Sequence, residues 1–60
     1  MTAQAIGREQ AAAWHEAQAL ECDNLHIVNL NEDRELLAST AKMMAMFHRK
    51  AAASIRKLTD

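Results

Sequence analysis

The chain has 60 residues and a net charge of −1, with no proline, one glycine and one cysteine. A chain this short holds one domain at most, and it has few of the residues that usually mark loops. A disulfide framework within the chain is excluded because Cys22 has no partner, and no stretch reaches the roughly 18 consecutive apolar residues of a membrane span. We therefore expect a single all-α domain, without a signal peptide, in the reducing cytoplasm.

Residues 3–23 predict the first helix. Alanine, glutamine and glutamate dominate this segment, and apolar residues recur in it at helical spacing. The resulting stripe comprises Ile6, Ala13, Ala17 and Leu20. Alanine gives this helix a high propensity but little surface area to bury.

Residues 24–31 are predicted to connect the two helices. Three asparagines and two adjacent β-branched residues in this segment disfavour a helix. Either Asn29, with Glu32 three residues later, or Asn31 would cap the second helix. A short strand is the alternative for this segment.

Residues 32–58 predict the second helix, and several cations near its end suit the negative end of the helix dipole. Two adjacent rows of this helix form a broad apolar arc of roughly 160°. One row, at alternating four- and three-residue spacing, is Leu37, Ala41, Met44, His48, Ala51, Ile55 and Leu58. The other row is Leu36, Thr40, Met43 and Phe47. Such spacing is typical of a seam against another helix.

The apolar arc is wider than the first helix can cover, because that helix offers only small residues and Trp14. We therefore expect the hairpin to pair with a second copy as a homodimeric four-helix bundle. A monomer with an exposed apolar patch is the alternative. The expected oligomer interface is Leu36, Leu37, Met43, Met44, Phe47, His48, Ile55 and Leu58.

The charges divide between the two halves of the chain. Residues 1–33 carry a net charge of −5 and residues 34–60 carry +4. Acids recur at seven-residue intervals in the first helix and cations do so in the second, so each set forms a line along its helix. The acidic line is Glu9, Glu16 and Asp23, and the basic line is Lys42, Arg49 and Arg56. The acidic line flanks the seam, whereas the basic line is expected to face solvent or a partner.

Contact with a partner is expected on the outer face of the second helix, where Met46 lies among cations, and at the end marked by Trp14. The candidate partner-binding residues are Lys42, Met46, Arg49, Lys50, Arg56 and Trp14. The partner would be a larger protein or, alternatively, the phosphate backbone of a nucleic acid. The acidic pI of about 6.3 and the presence of only two aromatic residues weigh against nucleic acid.

The histidines and the cysteine do not form a metal site by spacing. Cys22 and His26 are four residues apart, but His15 lies seven residues before Cys22, which is roughly 10 Å along a helix. We expect no metal and no cofactor. His48, on the seam, would be either a pH switch or an ordinary hydrogen-bonded interfacial histidine.

Catalysis has little support, because the sequence has no glycine-rich phosphate loop and no nucleophile with a recognisable base. We expect a non-enzymatic homodimer that regulates, inhibits or adapts a larger protein. A nucleic-acid-binding hairpin dimer is the alternative. In size and hairpin plan the chain resembles the small dimeric hairpin regulators encoded by plasmids and phages, a resemblance of architecture alone.

Overall fold

A computed structural model describes residues 2–58, which form two helices joined by a short turn. Helix α1 comprises Ala3–Asn31 and helix α2 comprises Glu35–Arg56. The helices pack against each other as a hairpin whose principal dimensions between Cα atoms are 47, 13 and 8 Å. The prediction of an all-α helical hairpin is therefore confirmed.

The predicted connection over 24–31 is wrong, because these residues form the last turns of α1. Two hydrogen bonds oppose their weak helix propensity. The Nδ1 atom of His26 donates to the carbonyl of Ala38 in α2 at 2.7 Å, and the side-chain amide of Asn29 donates to the carbonyl of Leu25 at 2.8 Å. A contact with the second helix thus adds to the stability of a segment whose own helix preference is weak.

The turn between the helices consists of Glu32, Asp33 and Arg34. Asp33 has a φ angle of 59°, in the left-handed region that aspartate tolerates better than most residues. The backbone amide of Arg34 donates to the carbonyl of Asn29 at 2.7 Å and so closes the end of α1. Neither Asn29 nor Asn31 caps the second helix, because both lie within α1; Arg34 holds the N-cap position, without a side-chain hydrogen bond.

Helix α2 ends at Arg56, two residues before the predicted end at 58. The amides of Lys57 and Leu58 donate to the carbonyls of Ser54 and Ile55, each at 3.2 Å. These bonds span three residues rather than four, so the chain leaves the α-helix through one tighter turn.

The core between the helices consists of alanine. The buried residues are Ala12, Ala19, Ala38, Ala41, Ala45 and Ala52, here called the alanine seam. Within α2 these positions, together with the half-buried His48 and Ile55, alternate between three- and four-residue spacing. No side chain larger than alanine is fully buried among residues 2–58. Methyl groups alone separate the backbones at these positions, so the helices can approach closely.

The predicted apolar stripe of α1 does not face α2. Ile6 and Leu20 are 45% and 62% exposed, and Ala13 and Ala17 are also exposed. The packed stripe lies one position away, because the small side chain of Ala12 or Ala19 allows a closer approach than isoleucine or leucine would.

The predicted seam of α2 is partly confirmed. Ala41, His48 and Ile55 belong to the surface that packs on α1, where they are buried or half-buried. Leu37 and Met44, from the same predicted row, are 56% and 48% exposed. The row therefore lies partly within the seam and partly beside it, and Leu37 and Met44 remain outside.

Enlarging a residue of the alanine seam should force the helices apart. We expect Ala45→Leu to destabilise the hairpin by about 1–3 kcal/mol, because a leucine there overpacks the contact between the backbones. Ala53→Leu makes the same chemical change at an exposed position of the same helix and should alter stability by less than about 0.5 kcal/mol. Thermal unfolding followed by circular dichroism compares the two variants, and equal melting temperatures would contradict the close-packed seam.

Candidate interaction surface

One edge of the hairpin carries ion pairs between the two helices. Arg56 of α2 contacts Glu9 at 2.6 Å and Glu16 at 2.7 Å between its Nη2 atom and each carboxylate. Its Nε atom also donates to Glu9 at 3.1 Å. Seven residues earlier in α2, both terminal nitrogens of Arg49 donate to the two oxygens of Asp23. We call these five residues the ion-pair edge.

The ion pairs change the protonation equilibria of the groups that form them. Hydrogen bonds from Arg56 lower the pKa of Glu9 and of Glu16, and hydrogen bonds from Arg49 lower the pKa of Asp23. The same contacts raise the pKa of both arginines. All of these groups are solvent-exposed or nearly so, so the contribution of the pairs to stability is modest and sensitive to salt.

The basic line of the second helix was expected to face solvent or a partner; all three of its members are exposed, but two of them also form ion pairs within the chain. Arg49 and Arg56 bind the acidic line of α1, because each follows a seam residue by one position and so lies beside the first helix. Lys42 is exposed. Because Arg49 and Arg56 are paired with acids of the same chain, the basic line offers less positive charge to the phosphates of a nucleic acid.

The opposite edge of the seam is apolar. Met44 precedes Ala45 by one residue, whereas Arg49 follows His48 by one, so the two side chains lie on opposite flanks of the seam. Exposed leucine, methionine and aromatic side chains extend from this flank around the surface of the hairpin. We call the set the apolar face; it comprises Trp14 of α1 and Leu36, Leu37, Met43, Met44 and Phe47 of α2. Each member is at least 48% exposed, and Leu36 reaches 80%.

Two histidines meet where the apolar face borders the seam. The Nδ1 atoms of His15 and His48 lie 2.8 Å apart, in a part-buried hydrogen bond between the helices. The ring of Trp14 stands edge-on to both imidazoles, at 5.0 and 5.9 Å between centroids, and Phe47 stands edge-on to His48 at 5.5 Å. Trp14 of α1 and Phe47 of α2 therefore both contact the histidine pair, and the pair joins the two helices beneath the apolar face.

The remaining predicted site residues are distributed over the surface. Ile55 is half-buried in the seam, and Leu58 is exposed just beyond the end of α2. Met46, Lys42 and Lys50 are exposed on the outside of α2, where Met46 is 62% accessible. The structure thus brings five of the eight predicted interface residues together on the apolar face, whereas His48 and Ile55 contribute to packing within the hairpin.

Helix α1 has a separate exposed apolar row on its outside. Ile6, Leu20 and Ile27 are 45%, 62% and 55% exposed, and they occur at intervals of fourteen and seven residues. This spacing keeps them on one side of the helix. We call them the outer row. Each follows a buried or half-buried residue of α1 by one position, whereas Trp14 precedes the half-buried His15, so the outer row lies on the flank opposite Trp14.

The side chains that could bind a metal ion are dispersed or engaged in the hairpin. The described residues contain no group of three histidine, cysteine, aspartate or glutamate side chains placed to hold a metal ion. His15 and His26 instead bind partners on α2, and Cys22 is a half-buried free thiol. One surface depression, of about 390 Å³, is lined by Glu16, Leu20, Arg49, Ala52, Ala53 and Arg56.

Within the described part of the chain, neither helix has the length of apolar sequence that would be needed to span a bilayer. Comparison with protein-family models, curated proteins and solved structures gives no match. The interpretation of the surface therefore depends on its own geometry.

Acid should weaken the hairpin as the ion-pair edge is neutralised. Glu9, Glu16 and Asp23 have lowered pKa values in the folded chain, so their stabilising effect is present at neutral pH and is lost as pH falls below about 4.5. We expect the melting temperature to fall between pH 5 and pH 3, and to fall less in 1 M salt.

The matched variants are Arg56→Gln and Lys57→Gln, which remove the same charge from adjacent positions. Arg56→Gln should lower the melting temperature at pH 7 and flatten its acid dependence, since both Glu9 and Glu16 lose their partner. Lys57→Gln should change neither quantity appreciably. Indistinguishable acid profiles in circular dichroism melts of the two variants would rule out a stabilising role for the ion-pair edge.

Proposed function

We propose that this chain is a non-enzymatic interaction protein that pairs with a second copy through the apolar face to form a four-helix bundle. The dimer in turn binds a larger protein, which it regulates, inhibits or adapts. The observation that carries the proposal is the contrast between an interior made of alanine and an exterior that displays the large apolar side chains.

The accessible surface is larger than a compact chain of this mass would expose. The chain exposes 4605 Å², whereas a compact monomer of 6.7 kDa is expected to expose about 3,900 Å². The surplus, about 700 Å², is close to the roughly 800 Å² that each partner contributes to a standard protein interface. A second hairpin would cover an area of this order.

The composition of the apolar face also supports a protein partner. Aromatic residues and methionine are enriched at interface cores, and charged residues are depleted there. Trp14, Met43, Met44 and Phe47 supply this composition; Met44 and Phe47 lie on the flank that carries Trp14, and Met43 lies farther round α2, on the side away from the seam. A two-fold arrangement would place the face of one hairpin against the identical face of the other, so no complementary sequence is required.

A second copy is favoured over a different protein as the occupant because the hairpin alone has so little core. Short chains without disulfides or metals commonly gain stability by oligomerisation. In a bundle of four helices the residues of the apolar face would become the central core, and the ion-pair edges would remain at the outside. Folding and assembly would then be linked, so stability would depend on protein concentration.

The surfaces that such a dimer leaves free are where a larger protein would bind. They include the outer row of α1 and the outside of α2 around Lys42, Met46 and Lys50. A free thiol at Cys22 supports a reducing compartment such as the cytoplasm as the place of action.

A charge on the apolar face should dissociate the assembly. We expect the unmodified chain to have the mass of a dimer by light scattering at micromolar concentration, and the double variant Met44→Asp with Phe47→Asp to have the mass of a monomer or to lose its helicity. The physical reason is that two carboxylates would be buried without partners in the dimer core.

The single variant Phe47→Asp should also dissociate the dimer, and Leu20→Asp is its matched control, because Leu20 of the outer row is 62% exposed and Phe47 is 64% exposed. This variant should retain the dimer mass. A well-folded monomer for the unmodified chain at high concentration would overturn the proposal, and so would dissociation by Leu20→Asp together with an intact dimer for Phe47→Asp.

A further inference from the structure

All three histidines of the chain lie between the two helices and bind across them through Nδ1. His15 and His48 bind each other, and His26 binds the carbonyl of Ala38. The two contacts differ in how they respond to protons. A carbonyl only accepts, so His26 donates from Nδ1 whether its ring is neutral or cationic, and protonation leaves this bond intact.

The histidine pair behaves differently because its two members face each other head-on. The ring centroids are 5.1 Å apart and the Nδ1 atoms are 2.8 Å apart. The difference is about twice the distance from the centre of an imidazole ring to its own nitrogen. Both nitrogens therefore lie close to the line that joins the rings, as expected for a nearly linear N–H···N hydrogen bond.

Such a bond holds one proton between the two nitrogens. One Nδ1 atom carries the proton and donates, while the other offers a lone pair and accepts. A neutral pair or a pair with a single positive charge satisfies this requirement. When both rings are cationic, neither Nδ1 atom accepts, the hydrogen bond is lost and two like charges face each other at contact distance.

Among residues 2–58, no contact joins a carboxylate to either ring of the histidine pair. The ionisable groups that flank it on the two helices are Arg8, Glu16, Cys22, Arg49 and Lys50. The carboxylate of Glu16, next in sequence to His15, is hydrogen-bonded to Arg56 instead. The other ring contacts of the pair are with Trp14 and Phe47, which carry no charge.

We infer that His15 and His48 form an acid-sensitive latch: the hairpin closes when the pair holds a single shared proton, and opens when both rings are protonated. Because the latch lies at the base of the apolar face, between Trp14 and Phe47, its opening also separates the two halves of that face. Release of the second copy on mild acidification follows, and this part of the inference rests on the proposed function.

The direction of the pH effect comes from proton counting. An isolated imidazole becomes cationic near pH 6.5. Two cationic rings in the head-on geometry of the closed pair would leave neither Nδ1 atom able to accept the hydrogen bond, so the open chain accommodates the second proton better. The unfolded state then binds more protons, and stability falls as pH falls. The equilibrium constant for opening should rise by up to about tenfold per pH unit between pH 6.5 and 5, above the range in which the ion-pair edge titrates.

The test is urea unfolding at pH 8, 7, 6 and 5, followed by circular dichroism, for the unmodified chain and two matched variants. His48→Gln retains an amide that can either donate to His15 or accept from it, so it should fold and lose the dependence between pH 6.5 and 5. His26→Gln removes the other histidine contact and should retain the dependence. Equal pH dependence in the unmodified chain and in His48→Gln would overturn the inference.

Fluorescence of Trp14, the only tryptophan, provides a second measurement that does not require any variant to fold. Its emission in the unmodified chain should change between pH 7 and 5, because it contacts both imidazoles. Emission and helicity that stay constant from pH 8 to 5 would also overturn the latch.

Light scattering at pH 8 and pH 5 separates the two proposals. A dimer at pH 8 that dissociates at pH 5 in the unmodified chain, but not in His48→Gln, supports both. A dimer that is equally stable at both pH values overturns the latch and leaves the proposed function intact. A folded monomer at pH 8 overturns the proposed function, and the urea series then decides the latch alone.

Discussion

The close approach of two helices along a seam of alanine is the constraint on which the rest of this molecule depends. Where only methyl groups separate two backbones, each helix must direct its larger side chains away from the other. The interior is therefore too small to bury leucine, methionine or phenylalanine, and these residues form an exterior surface instead. The same feature that allows a 60-residue chain to make a tight hairpin leaves it without a substantial hydrophobic core.

The two flanks of the seam have opposite characters, and this gives the hairpin its chemical polarity. On one flank, acids of α1 meet arginines of α2, so the charges that would repel a copy of the same surface are paired within the chain. On the other flank, Trp14 and Phe47 border the histidine pair, and the apolar surface continues over Met43 and Met44. A surface that is apolar, broad and free of its own arginines is suited to self-association, whereas the ion-pair edge is suited to water.

The sequence was sufficient for the helical hairpin, for the start of the first helix and for the lines of charge, because these follow from local propensity and seven-residue spacing. It was insufficient for the connection, since the helical conformation of residues 24–31 depends on His26 reaching the carbonyl of Ala38 in the other helix. It also placed the packed stripe one position away from Ala12 and Ala19. Hydrophobicity ranks large residues first, whereas close helix packing selects small ones, and the repeat of alanine at positions 38, 45 and 52 was the available signal.

The histidine contacts matter because the alanine seam by itself does not fix how the two helices are aligned. In a seam of alanine, methyl contacts are nearly interchangeable, so a shift of one helix along the other by a turn would cost little packing. His15 with His48 and His26 with Ala38 are part-buried directional contacts that such a shift would break, and polar contacts between paired helices are known to fix their register. The register in turn decides whether Trp14 lies beside Phe47, and therefore whether the apolar face exists as one surface. Packing alone would allow several alignments of these helices, and the polar contacts favour the one in which Trp14 and Phe47 lie on one apolar surface.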